Sequence, residues 1–146
     1  MNEIESRGSA VAQIDNMASG ISIIMPVYNG AEFIIRSLPP LLAMEQRGEI
    51  LEVIVIDDGS TDDGKQLAES MGAKVLSSGG RMGPGGARNQ AAEIARGDIL
   101  WFVDADVVVH DDVALSLHRG FDDLQVVAVF GSYDTSPPAR NFFSQY

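Results

Sequence analysis

A chain of 146 residues suffices for one domain with a real core, and 45% hydrophobic with 21% charged residues is an ordinary globular balance. With 21 acidic against 10 basic side chains the net charge is −11, which argues against a nucleic-acid backbone or an anionic membrane as main partner. A nucleotide stays possible, because a divalent cation can bridge carboxylates to phosphates. With no cysteine, disulfides and thiolate metal sites are excluded.

Residues 1–20 mix Glu3, Glu5, Arg7 and Asp15 with small side chains and lack the basic start and apolar stretch of a secretory signal. They read as a flexible leader. The longest apolar runs, Ile99–Val103 and Val126–Phe130, have strand length and fall far short of a membrane span. The expected location is therefore cytoplasmic, with no membrane segment in this chain.

From Ile21 the chain alternates short apolar runs with amphipathic segments. Ile21–Met25 reads as a buried strand stopped by Pro26 and the turn pair Asn29-Gly30. Ala31 to Met44 has helical spacing, which Pro39-Pro40 is expected to kink or split. Leu51–Ile56 is a second strand, ended by Asp57-Asp58-Gly59-Ser60. A helix then runs from Thr61 to Met71, with Ser60 or Thr61 as cap and Gly72 closing it. Ala73–Leu76 is a short third strand. The glycine-rich stretch Ser78 to Gly86 leads into a helix from Ala87 to Arg96, ended by Gly97. Ile99–Val103 is a fourth strand, Asp111 to Arg119 a helix, and Gln125–Phe130 a fifth strand. The tail with Pro137-Pro138 is irregular.

Strands separated by helices imply a mainly parallel sheet with helices on both faces, and ligands bind beyond the carboxyl ends of such strands. Asp104-Ala105-Asp106 stands directly after an apolar strand, so both carboxylates can face one site. Paired carboxylates repel unless a cation lies between them, and magnesium or manganese suits such a pair together with phosphate oxygens. The alternative, a solvated turn or helix cap, is better filled by Asp111 and Asp112. Asp57-Asp58-Gly59-Ser60-Thr61 offers a carboxylate for a base or ribose, or else an ordinary turn. Small residues from Gly83 to Ala87 would let a ligand approach the backbone. Arg88 behind them either pairs with phosphate or holds a sheet-end aspartate. Tyr28 either stacks on a base or packs beside Pro26. His110 either approaches a metal from the loop after Asp106 or, the better explanation, is a lone surface histidine.

Together these segments resemble family-2 glycosyltransferases of the GT-A fold. The resemblance is carried by Ser22-Ile23-Ile24-Met25-Pro26-Val27-Tyr28-Asn29, Val55-Ile56-Asp57-Asp58-Gly59-Ser60-Thr61-Asp62, Gly86-Ala87-Arg88-Asn89, Gly97-Asp98-Ile99 and Phe102-Val103-Asp104-Ala105-Asp106. It implies a Rossmann-like three-layer α/β/α nucleotide-sugar-binding domain over residues 21–131. Residues 132–146 would be a tail leading to an acceptor region missing from this chain.

The resemblance also implies roles. Pro26, Val27, Tyr28 and Asn29, with Gly83, Arg88 and Ala105, would line the nucleotide-sugar pocket. Asp57 or Asp58 would bind the base. Asp104 would contact ribose or metal, and Asp106 would hold Mn2+ or Mg2+ at the diphosphate of a UDP- or GDP-sugar. An unknown acceptor's hydroxyl would displace the nucleoside diphosphate, usually with inversion, its proton going to a base beyond this stretch. In the tail only Asp134 is a carboxylate. The Asp104/Asp106 pair also fits a haloacid-dehalogenase-type phosphatase, and Asp57-Asp58 a non-enzymatic receiver-like signalling domain. Both need a later lysine, and none follows Lys74. A sugar-nucleotide pyrophosphorylase would need a basic glycine-rich loop where Tyr28-Asn29-Gly30 stands.

Overall fold

A computed structural model describes residues 20–123 and 125–132. The expected leader, apart from Gly20, and the expected tail beyond Ser132 lie outside them, as do Asp134 and Pro137-Pro138. The elements are β1 (Ile21–Val27), α1 (Ala31–Gln46), β2 (Glu52–Asp57), α2 (Gly64–Ser70), β3 (Lys74–Ser77), α3 (Pro84–Ala92), β4 (Ile99–Phe102) and α4 (Val113–Gly120). A boundary between two compact units falls after Leu115. The first unit holds the sheet, which is parallel throughout, in the order β3-β2-β1-β4.

β1 and β2 are buried along nearly their whole length, which is why they read as continuous apolar runs rather than alternations. Ile24, Ile54 and Ile56 pack on Ala87 and Ala91 of α3. Ile34, Leu38, Leu41 and Met44 of α1 are likewise fully buried. Each such aliphatic side chain contributes about 1.5–3 kcal/mol by leaving water.

Pro26 does not stop β1, which runs on to Val27. The backbone groups of even-numbered residues face β4: Gly20 and Ile24 accept from Ile99 and Val103. Those of odd-numbered residues face β2: Ile21 and Val27 accept from Leu51 and Asp58. Pro26 therefore turns its nitrogen toward β4 at a level where β4 has ended, and no ladder bond is lost. Pro39 and Pro40 likewise fail to split α1. The carbonyls they leave unpaired belong to Ile35 and Arg36, both exposed, so water can replace the lost bonds.

Other boundaries move for local reasons. α3 starts at Pro84, inside the glycine-rich stretch, and ends at Ala92. Gly97 is consequently no helix cap; a Cβ there would lie 2.6 Å from the Ser22 nitrogen and 2.8 Å from the Gly20 oxygen. Neither Ser60 nor Thr61 caps α2, whose cap position is Asp63. The expected fifth strand does not form among the described residues: residues 125–130 pair in no ladder there, with Val127 and Phe130 about nine-tenths exposed. An apolar run becomes a strand only when a neighbouring edge takes its backbone groups.

The amino end of the sheet is tied by Glu52, which is 2% exposed. Its carboxylate accepts from the Ser22 hydroxyl (2.9 Å), the Arg96 amide (2.8 Å) and Lys74 (3.2 Å). Burial alone would raise its pKa, but those donors hold it below the usual carboxylate range. No signal of periodicity marks this clamp.

Gly97→Ala is expected to cost at least about 2 kcal/mol, because the new methyl meets backbone that cannot move aside. Gly85→Ala, in α3 with nothing within 4 Å, is expected to be neutral or gain about 0.5 kcal/mol. Urea unfolding midpoints of the two variants test the contrast.

Candidate donor site

The loops after β1, β2, β3 and the residues after β4 meet at the carboxyl end of the sheet. The chain proceeds from β1 to β2 and β3 on one side, then returns to place β4 on the other side of β1. The strand order therefore reverses between β1 and β4, and open α/β sheets bind ligands beyond the carboxyl ends of the strands at such a point. Tyr28 and Asn29 follow β1 there, and Asp104-Ala105-Asp106 follow β4.

Asn29 has a left-handed backbone (φ 50). Its amide donates to the Ser60 hydroxyl (3.0 Å), and its side-chain oxygen accepts from the Thr61 amide (2.8 Å). Asp62 adds a second tie, accepting from Ala31 at 2.9 Å and from Gly64 at 3.0 Å, so one carboxylate starts both α1 and α2. The loops after β1 and β2 are thus one unit. Gly30 brings the β4 loop against them: a Cβ there would meet Val27 Cγ1 at 3.0 Å and Ala105 Cβ at 3.7 Å.

The two adjacent aspartates have different work. Asp58 is 3% exposed and accepts from the Met82 amide (2.7 Å), the Gly83 amide (2.8 Å) and the Ser78 hydroxyl (3.1 Å). Burial pushes its pKa up, but these bonds, with the charge of Arg81, leave it below the ordinary value. Asp58 is spent on shaping the β3–α3 loop. Asp57 is 6% exposed and uses Oδ1 for the Ser60 amide at 3.1 Å, while Oδ2 accepts from no described residue.

Gly83, at φ 83, gives its amide to Asp58 and starts α3. α3 in turn carries Arg88, whose Nη2 donates to Asp104 Oδ1 in a charged hydrogen bond. Of the two readings the sequence left for Arg88, the sheet-end partner is the one observed. Val27, expected to line the pocket, is only 2% exposed and belongs to the core; its carbonyl accepts from the Asp58 amide at 2.8 Å. Pro26 is half-buried, and Asp104 and Asp106 are exposed. Tyr28, 41% exposed, lies under Arg81, whose guanidinium carbon is 4.0 Å from the ring centroid. Sequence reasoning passed over Arg81, although it is the lone charge in the glycine-rich stretch Ser78 to Gly86.

Among the described residues no three His, Cys, Asp or Glu side chains converge as a ready-made metal cage. The donor set present, two exposed hard carboxylates at Asp104 and Asp106, fits a cation that draws the rest of its shell from phosphate and water. No helix of the described residues is long and apolar enough to cross a membrane.

The profile of Glycosyl transferase family 2 matches residues 22–146. The chain belongs to that family. Within it, the chain is 25% identical over 122 residues to glycosyltransferase GlyG of Streptococcus pneumoniae, covering 80% of this chain and 40% of the relative. The structure of Staphylococcus aureus TarS in complex with UDP-GlcNAc superposes with a TM-score of 0.64 at 31% identity, covering 70% of this chain and 31% of that one. Glucosyl-3-phosphoglycerate synthase of Mycobacterium tuberculosis, solved with Mn2+, UDP and glucosyl-3-phosphoglycerate, gives 0.61 at 28% identity, covering 70% and 40%. The chain thus spans well under half the length of these relatives. The sheet agrees with the GT-A fold expected of it, and the family match leaves the phosphatase and receiver alternatives without support.

Asp58→Asn is expected to cost about 2 kcal/mol at neutral pH, by removing charge-assisted bonds to the β3–α3 loop. Because the folded-state pKa of Asp58 is depressed, its contribution is full above the unfolded pKa and fades as pH falls through the folded value. The variant should therefore lose less stability than wild type on acidification below about pH 4. Thermal melts across pH 2.5–7 read the difference.

Proposed function

We propose that this chain carries the donor site of a metal-dependent, inverting glycosyltransferase that uses a UDP-sugar. The observation that carries the reading is the placement of Asp57 on one side of the β1 loop and Asp104 with Asp106 on the other, in a family-2 chain. Asp57, with Oδ2 uncommitted, reads the edge of the base. Tyr28 and Asn29 form the wall between base and diphosphate. Asp104, held by Arg88, and Asp106 would hold Mn2+ or Mg2+ against the diphosphate. When bound, that cation supplies Lewis-acid stabilisation to the departing nucleoside diphosphate.

In the reaction the acceptor hydroxyl oxygen bonds to the anomeric carbon from the face opposite the leaving group. The bond from that carbon to the phosphate oxygen breaks, and the nucleoside diphosphate leaves with the electron pair. Single displacement inverts the centre. The acceptor's proton goes to a carboxylate other than Asp104 and Asp106, which are committed to the donor. Support for a uracil base comes from the TarS complex with UDP-GlcNAc and the mycobacterial complex with UDP.

Calorimetric titration of UDP and GDP into the protein, with and without manganese, tests this reading. UDP binding is expected to need manganese, to exceed GDP binding, and to weaken more than about tenfold (about 1.4 kcal/mol) in Asp106→Ala. Binding that is indifferent to both manganese and Asp106 in a folded protein would exclude the assignment.

A further inference from the structure

We propose that the seam between α1 and α2 is a docking groove for a cationic amphipathic helix of a partner protein.

The connections of the sheet decide where the seam faces. β1 to β2 and β2 to β3 step in one direction across the sheet, whereas β3 to β4 steps in the other. Right-handed crossovers therefore put α1 and α2 on one face and α3 on the opposite face. α1 presents Ala31, Ile35, Pro39 and Ala43 to the seam, every fourth residue on one side of the helix, and α2 presents Leu67 and Met71. From Ala31 to Gln46 this wall runs for roughly 22 Å, at about 1.5 Å per residue. Ile35 is 57% exposed and Pro39 is also exposed, so contact between the two helices does not close the stripe. Length and spacing both match a helix that carries apolar side chains at every third or fourth position.

The polar groups on the walls set the sign of the occupant. Glu32 and Asp63 line the groove, and among the described residues neither carboxylate has an ion pair or a hydrogen bond. No described lysine or arginine lines it. The Ser70 hydroxyl already donates to the Leu67 carbonyl at 2.7 Å. Pro39 has no N–H for the Ile35 carbonyl, which keeps its acceptor capacity on the α1 wall. Apart from Gln46 and Gln66, the polar side chains there have only acceptors to offer. Lysine and arginine bring donors and no acceptor, so they complement both the charge and the open carbonyl. The same charge argues against other occupants. A second copy would add the same two carboxylates and a further net charge of −11. Residues 1–19 carry Glu3, Glu5 and Asp15 against Arg7, and residues 133–146 carry Asp134 against Arg140, so neither segment is cationic.

Fluorescence anisotropy of labelled 16-residue synthetic helices, matched to α1 in length, tests this assignment. Salt of about 0.15 M screens non-specific attraction. One peptide has leucine at every third or fourth position flanked by lysine, a second has glutamate in place of lysine, and a third is the first in shuffled order. The lysine helix should bind wild type, and the other two should not. Ile35→Ala should weaken that binding about fivefold through lost apolar contact. Glu32→Gln combined with Asp63→Asn should weaken it by about the same factor through lost charge. Glu93→Gln combined with Asp98→Asn, an equal charge change at exposed positions outside the groove, should leave affinity unchanged. Circular dichroism confirms that each variant is folded. Failure of the lysine helix to bind wild type, or equal binding of the glutamate or shuffled helix, overturns the proposal. An equal loss in the Glu93/Asp98 variant would mean bulk attraction to an acidic protein and overturns it too. Self-association of the wild type that disappears in Ile35→Ala would assign the groove to a second copy and reject a partner helix.

Discussion

A buried carboxylate cannot remain charged unless donors surround it, and Asp58 meets that demand with the loop that follows β3. Its oxygens collect the amides of Met82 and Gly83 and the hydroxyl of Ser78. The site then follows in sequence. Fixing Met82 and Gly83 fixes where α3 begins, and α3 carries Arg88 to Asp104 beyond β4. The same loop places Arg81 over Tyr28. One carboxylate at the end of β2 thereby organises segments on both sides of the central strand.

The sheet supplies the frame for this arrangement. β1 is internal to the sheet and its carboxyl end lies where the strand order reverses, so the segments after β1 and β4 are neighbours there. Asn29 adopts a left-handed backbone there and is joined to Ser60 and Thr61 of the β2 loop by three hydrogen bonds, which stiffens both loops. At the opposite end Glu52 ties β1, β3 and the chain entering β4. Two buried acids of depressed pKa therefore hold the two ends of one sheet.

The difference between the two ends is one of remaining capacity. Glu52 is surrounded by donors from its own fold, and nothing there is left for a ligand. At the carboxyl end Asp57 has an uncommitted oxygen, and Asp104 and Asp106 are exposed. Carboxylates concentrated at one end suit a cation and a diphosphate, and the overall charge of −11 is no obstacle to such a ligand.

Strand and helix types through Phe102 were legible from periodicity, because the buried strands are continuous apolar runs and glycine or proline marks the turns. Asp104-Ala105-Asp106 was legible because carboxylates directly after an apolar strand must emerge at its carboxyl end. What the sequence could not decide depended on neighbours. Pro26 is harmless only because β4 ends beside it, and residues 125–130 form no strand because no edge among the described residues takes their backbone groups. Asp57 and Asp58 are alike as letters, yet folding surrounds one with amide donors and leaves the other an oxygen to spare. Arg81 acquires a partner only when the β3 loop folds over Tyr28, 53 residues away in sequence. Local sequence determines periodicity and turn chemistry, both of which act over a few residues. The assignment of each polar group to structure or to ligand is decided by donors and acceptors that only the tertiary fold brings within 3 Å or so.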